Sequence, residues 1–319
     1  WFAITIGGEA KENIRRKAVT SRLAPYQESL REAEASALLV SCGYWDDTVK
    51  IHSIDGSRIL CSHSGGHRGP IRCLSVGSCG ALMVTGGQDA TCRVWVIYHP
   101  DMAVALSDGY VQTALGESND GEQRLTCCHV LWGHESPVSS VDLSSDLDVV
   151  VSGSLDGIVC VHSARRGKFI RSMRPRKPGH KRANLSSPAV RKIALDSSGI
   201  FVVHLDDGSL HSCTINGANL CSVNAQETLN AMRITSNGEM LVTGGDKCQV
   251  VVRTVKDLRV CSMLDITRHG PIRCIALTPE DLNPIPQFLF IGSDDGMVTI
   301  VDEDRIQTNR KMSTGSISD

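Results

Sequence analysis

Four residues stand at spacings that would let them share protons: His67, Thr85, Asp89 and Trp95. A carboxylate can hold a histidine, the histidine a hydroxyl, and the hydroxyl an indole N–H. Buried together, such a set forms a relay that ties a turn to the strands beside it. A second set, His134, Ser152 and Asp156, repeats the pattern with His162 in the tryptophan place. A third is partial, with Cys42, Asp46 and His52 and no Gly-His dipeptide ahead of it. Hydroxyl, histidine and carboxylate are also the parts of a nucleophilic hydrolase. The chain has no Gly-x-Ser-x-Gly elbow to expose a nucleophile and no H-E-x-x-H pair to hold a metal. Because the pattern recurs, a structural relay accounts for these residues better than one catalytic site does.

The element that must position the first set is Leu82 to Val96. Apolar Leu82, Met83 and Val84 run into Thr85-Gly86-Gly87, a tight turn follows at Gln88-Asp89-Ala90, and Cys92, Val94 and Val96 alternate along a second strand. A hairpin of this size cannot bury both faces alone, so repetition is expected. Edited copies are anchored on a turn aspartate at Asp46, Asp89, Asp156, Asp207 and Asp295, and on Lys247 where the aspartate has moved back to Asp246. The six anchors are 40 to 67 residues apart, at or above the roughly 40 to 45 residues of a four-stranded propeller repeat. The long steps should contain insertions.

Taken in order, Trp1 to Gly8 is the first strand of the first repeat, parted from its partner by a Glu-, Arg-, Lys- and Ala-rich insertion at 9–37. Two short helices are expected there, Lys11 to Leu23 and Gln27 to Ala35. Loop insertions follow at 99–123 and 174–187, and the polar tail 311–319 is expected to be disordered. The rest, within 1–310, reads as four short strands per repeat. The expectation is therefore an all-β propeller with six visible repeats. Seven blades are favoured, the missing one built upstream of Trp1, with a six-bladed ring as the competitor.

A net charge of −2 gives no push towards nucleic acid. The 13 cysteines are too sparse for a disulfide scaffold. Six of them, Cys73, Cys92, Cys160, Cys213, Cys261 and Cys274, fall at expected core positions and act there as small apolar residues, which suits a reducing cytosolic setting. No apolar run approaches the roughly 18 residues of a membrane span. The start at Trp1 rather than Met reads as a segment of a longer protein, so a missing leader peptide says nothing of the parent. No motif asks for a cofactor, a metal or a small-molecule substrate.

One stretch is sharply biased. Arg165, Arg166, Lys168, Arg171, Arg174, Arg176, Lys177, Lys181 and Arg182 fall within 18 residues that carry no acid. It reads either as a solvated connector whose first part is an outer strand, or as a contact for anionic headgroups or an acidic partner, at roughly 1 kcal/mol per basic residue near a charged membrane.

With repeats, Gly-His dipeptides, Tyr44-Trp45-Asp46 and Val94-Trp95 in place, the chain resembles WD-repeat (WD40) propellers over nearly its whole length. Val40-Ser41-Cys42-Gly43-Tyr44-Trp45-Asp46, Thr48-Val49-Lys50-Ile51, Gln88-Asp89-Ala90-Thr91 with Trp95, Ile215-Asn216-Gly217 and Leu241 to Asp246 look more narrowly like the C-terminal propeller of the BEACH family, neurobeachin and the lysosomal-trafficking-regulator relatives. The resemblance implies a non-enzymatic protein-binding module of a large scaffold in vesicle trafficking, lysosome biology or autophagy. It also implies a cytoplasmic setting, with the parent protein peripheral on endosomal, lysosomal or other vesicle membranes and partners that are other proteins. Alternatives are a substrate receptor or assembly platform of another complex, such as a ubiquitin ligase, and a propeller hydrolase.

Overall fold

Short runs of alternating aliphatic and β-branched residues, cut by Gly, Asp and Ser, can bury one face only by pairing as antiparallel meanders. Among the described residues the computed structural model shows 23 such strands and no helix. The residues described are 2–6, 37–53, 58–64, 66–78, 80–98, 124–175, 187–266, 270–278 and 288–302. The expected helices of the 9–37 insertion, the loop 99–123, residues 176–186 of the loop 174–187 and the tail 311–319 lie outside them.

The strands fall into two compact units. The first comprises Trp1–Ser154 and Cys160–Ser172, the second Leu155–Val159 and Met173–Asp319. In the first, sheet one is β1 (Phe2–Ile6), β2 (Ala37–Ser41), β3 (Val49–Ser53) and β4 (Ile59–His63). Sheet two is β5 (Ile71–Val76), β6 (Leu82–Gly87), β7 (Cys92–Tyr98) and β8 (Arg124–Leu131); sheet three is β9 (Val138–Ser144), β10 (Val149–Ser154), β11 (Val159–Ser163) and β12 (Phe169–Met173). β1 pairs with β2 from Phe2 opposite Ser41 to Ile6 opposite Ala37, so the first repeat does close across its long insertion.

The second unit holds sheet four, β13 (Val190–Leu195), β14 (Ile200–Leu205), β15 (Ser209–Thr214) and β16 (Asn219–Asn224). Sheet five is β17 (Leu229–Ile234), β18 (Met240–Gly245), β19 (Gln249–Thr254) and β20 (Val260–Asp265). Sheet six has three described strands rather than the expected four, β21 (Ile272–Leu277), β22 (Phe288–Ser293) and β23 (Val298–Asp302). The fold is all-β and its six sheets have the blade architecture of a WD40 propeller.

Two irregularities recur and fix which residues are equivalent. The residue after each anchor, Asp47, Ala90, Gly157, Gly208, Cys248 and Gly296, has φ between 55 and 80°, so all six turns share one left-handed geometry. The third and fourth strands slip register beside His52, Trp95, Cys213 and Arg253, which marks the tryptophan place in sheets one, two, four and five.

Packing is sheet on sheet within each unit. Leu38, Val40 and Ile51 of sheet one meet Met83, Trp95 and Ile97 of sheet two, whose other face (Val84, Cys92, Val94) meets Val138, Leu143 and Val150 of sheet three. In the second unit Val202 and Leu210 face Met232 and Leu241, and Val242 and Val250 face Ile275 and Leu289. Each fully buried aliphatic side chain here stabilises the fold by about 1.5–3 kcal/mol. Cys73, Cys92, Cys160 and Cys213 are buried as expected, but Cys261 is half-buried and Cys274 exposed. Cys261 lies on the outer strand β20. Cys274 sits on the face of sheet six turned away from sheet five, with Val298 and Ile300, and no described sheet covers it.

Candidate functional site

The relay expected in sheet two forms. β6 brings Thr85, β7 brings Trp95, the loop before β5 brings His67 and the hairpin turn brings Asp89. His67 Nδ1 lies 3.0 Å from Asp89 Oδ1, and its Nε2 lies 2.8 Å from Thr85 Oγ1. A carboxylate can only accept, so Nδ1 carries the ring proton and Nε2 accepts from the Thr85 hydroxyl. That leaves the Thr85 oxygen to accept the Trp95 indole N–H at 2.8 Å. The fit requires the two glycines that end β6: a Cβ on Gly87 would lie 2.4 Å from His67 Nδ1, and one on Gly86 would lie 2.6 Å from Cys73 Sγ.

Electrostatics follow from burial and partners. Burial holds His67 below the usual histidine range, against the pull of Asp89, so the ring is neutral. For Asp89, burial alone would raise the pKa, but N–H donors from Arg68 and His67 and the Thr91 hydroxyl outweigh it and bring it down to about 2. The hydroxyl, histidine and carboxylate thus have the connectivity of a hydrolase triad. The Thr85 hydroxyl, however, is wholly buried and already accepts from Trp95. Its oxygen is closed off from solvent.

In sheet three His134 Nε2 again reaches a hydroxyl, Ser152 Oγ at 2.8 Å, while Cys160 Sγ lies 3.8 Å from its Nδ1. His162, in the tryptophan place, turns instead to donate from Nε2 to the Trp132 carbonyl at 2.9 Å, and burial keeps its pKa low. Asp156 accepts the Ile158 N–H, as Asp46, Asp89, Asp207 and Asp295 accept the N–H two residues on.

Sheet one corrects the sequence reading. The hydroxyl there is Ser41, whose Oγ lies 2.7 Å from His52 Nε2 and 2.7 Å from the Tyr44 hydroxyl; Cys42 is a buried core residue beside it. The run from β2 into the turn is one residue longer than in sheet two, so counting back from Asp46 lands one place late. Sheet four holds a relay that sequence reasoning missed. Ser222 lies 2.8 Å from His211 Nδ1, His211 Nε2 lies 3.0 Å from Ser209 Oγ, and that hydroxyl donates to the anchor Asp207. The signal was the alternation Asp207-x-Ser209-x-His211, which points three polar residues to one face. In sheet five Glu227 accepts the Lys247 N–H, so a carboxylate from the preceding loop serves the anchor that Asp246 has left.

Of the basic stretch, Arg165, Arg166, Lys168 and Arg174 are exposed and Arg171 is half-buried, while Arg176, Lys177, Lys181 and Arg182 lie outside the described residues.

Residues 10–311 match the family described as the neurobeachin beta propeller domain. Among curated proteins, BEACH domain-containing protein B of Arabidopsis thaliana is 32% identical over 226 residues, covering 70% of this chain and 8% of that protein. BEACH domain-containing protein lvsE of Dictyostelium discoideum is 25% identical over 277 residues, 82% of this chain and 11% of that protein. A putative neurobeachin homolog of Caenorhabditis briggsae is 22% identical over 273 residues, 84% of this chain and 10% of that protein. The chain thus spans 8 to 11% of the length of these relatives.

Proposed function

The chain belongs to the neurobeachin β-propeller family of BEACH proteins, and from that premise we propose that it is a non-catalytic protein-interaction domain of a trafficking scaffold. The observation that carries this reading is the fate of the chemically capable residues. The relay of sheet two directs its hydroxyl, imidazole and indole at one another inside the sheet, where they lock the turn rather than meet a substrate. Sheet two is thereby a rigid support for its loops and rim, which are the parts of such folds that carry binding.

Vesicle, lysosomal or autophagic membranes are the proposed setting, on their cytoplasmic side, with contact made through the parent protein. Proximity labelling in cells expressing this chain tests it. Enrichment of endosomal and lysosomal trafficking proteins over an unrelated propeller of equal size is the expected result. A labelled set dominated by ubiquitin-ligase subunits would support the substrate-receptor alternative, and a set matching the control would overturn the interaction reading.

A further inference from the structure

We infer that the outer edge of β12 is a docking site for an acidic, extended peptide that adds to sheet three as a fifth strand. β12 is terminal in its sheet, and no described strand pairs with its outer edge. Such an edge presents a row of backbone N–H and C=O groups to a further chain. Phe169 and Ile170, the first two residues of the strand, are 53% and 48% exposed. They point to opposite faces and offer apolar contact on both sides of an added strand.

Charge selects the partner. Arg165, Arg166 and Lys168 are exposed in the turn that enters β12, and Arg171 follows within it. The facing turn between β9 and β10 carries two carboxylates, Asp146 and Asp148. Asp148 is engaged by the Ser163 hydroxyl at 2.7 Å and the Arg165 N–H at 2.6 Å. The three exposed cations outnumber the two carboxylates, of which Asp148 is already engaged, and leave a positive excess where the edge begins. The turn is also braced, because His129 Nε2 donates to the Arg165 carbonyl at 2.8 Å and Gly167 packs against the His129 ring.

Outer strands β4, β16 and β20 share the exposed apolar residues but not the charge, and β8 exposes no large apolar residue among its described side chains. β4 is preceded by Arg58 alone, β16 contains no charged residue and β20 ends on Asp265. A flat lipid surface would answer the cations but would make no use of the row of edge N–H and C=O groups, which only an extended chain can match in register, and this favours a peptide.

The proposal rests on the interaction-domain reading above, and the two fail separately. A fluorescein-labelled peptide of about eight residues, alternating Glu and Val, is titrated with the full chain at low salt and followed by fluorescence anisotropy. Saturable binding is expected, weakened about tenfold or more by R165E/R166E/K168E with an unchanged far-UV CD spectrum. A second peptide, N-methylated at every other residue so that it cannot pair along one edge, needs no altered protein and should bind about tenfold more weakly. Equal binding of both peptides would overturn strand addition. Binding to phosphatidylserine vesicles with none to the Glu-Val peptide would overturn the peptide in favour of a membrane surface. If peptide binding fails while proximity labelling still marks trafficking proteins, this edge is excluded and the interaction-domain reading stands.

Discussion

Gly66 packs against the six-membered ring of Trp95, so closely that a Cβ built on it would stand 2.6 Å from Cη2 and 3.0 Å from Cζ2. The His63 ring meets the same indole edge-on, with centroids 4.9 Å apart. Gly66-His67 is therefore a packing device as well as a relay component: the glycine lets the loop reach the indole, and the next residue completes the hydrogen-bond chain. Gly66→Ala forces a methyl group into a filled, fully buried contact. It should lower stability by about 1–3 kcal/mol. Urea denaturation followed by tryptophan fluorescence measures this, and a midpoint equal to that of the parent protein would show that the loop stands clear of Trp95.

Thr85 serves two partners through one oxygen. Thr85→Val keeps the shape but strands the Trp95 N–H and the His67 Nε2 lone pair, both buried. Each unsatisfied group costs about 1–3 kcal/mol, so a loss of about 2–6 kcal/mol is expected. Thr85→Ser restores the oxygen and should recover most of it. Equal losses for valine and serine would mean that packing of the γ-methyl, not the relay, matters.

What the sequence could and could not disclose divides along physical lines. Strand positions were legible because each short strand buries one face and so alternates, and anchors were legible because a left-handed residue after Asp leaves a Gly, Ala or Asp signature. Lys247 marks an anchor although the carboxylate stands one place earlier, and Cys248 has the φ of 58° that the place demands. Ser41 was missed because an added residue before a turn changes the count without changing the composition. The Ser209–His211–Ser222 chain was missed because its third member comes from a neighbouring strand, and cross-strand neighbours are invisible until register is known. Cys274 was misread for a related reason. Its alternation resembles that of Cys73, but Cys73 is covered by Val138 of the next sheet, whereas Cys274 has no described sheet over it.

Buried histidines make the fold acid-labile. The Leu229 N–H donates to His204 Nε2 at 3.1 Å, and burial pushes this ring down from 6.5 to about 4. The unfolded chain takes up a proton near pH 6.5 that the folded chain refuses until about pH 4, so stability is complete above 6.5 and is lost as pH falls towards 4. The shift corresponds to about 3 kcal/mol. His67 and His162 are shifted in the same direction. Asp89, held at about 2, adds a further loss only below its ordinary value of 3.8. Urea midpoints should therefore fall between pH 6.5 and 4. His204→Gln, which keeps an acceptor for Leu229 but does not titrate, should flatten that fall. An unchanged slope would place the proton uptake elsewhere.

Cysteine reactivity should separate faces that look alike in sequence. Cys73 and Cys274 occupy the same register place, opposite Gly86 in sheet two and Gly292 in sheet six. Cys73 is closed in by Val138, and burial pushes the thiols of Cys92 and Cys213 up to about 12. Since the thiolate is the nucleophile, a buried thiol with a high pKa is both shielded and unreactive. Brief iodoacetamide treatment of the folded chain, followed by peptide mass spectrometry, should therefore label Cys274 well before Cys73, Cys92 or Cys213. Denaturant should bring all four to similar rates. Protection of Cys274 equal to that of Cys92 would show that a further sheet or partner covers the face bearing Val298 and Ile300. Early labelling of Cys92 would instead contradict the packing of sheet two on sheet three.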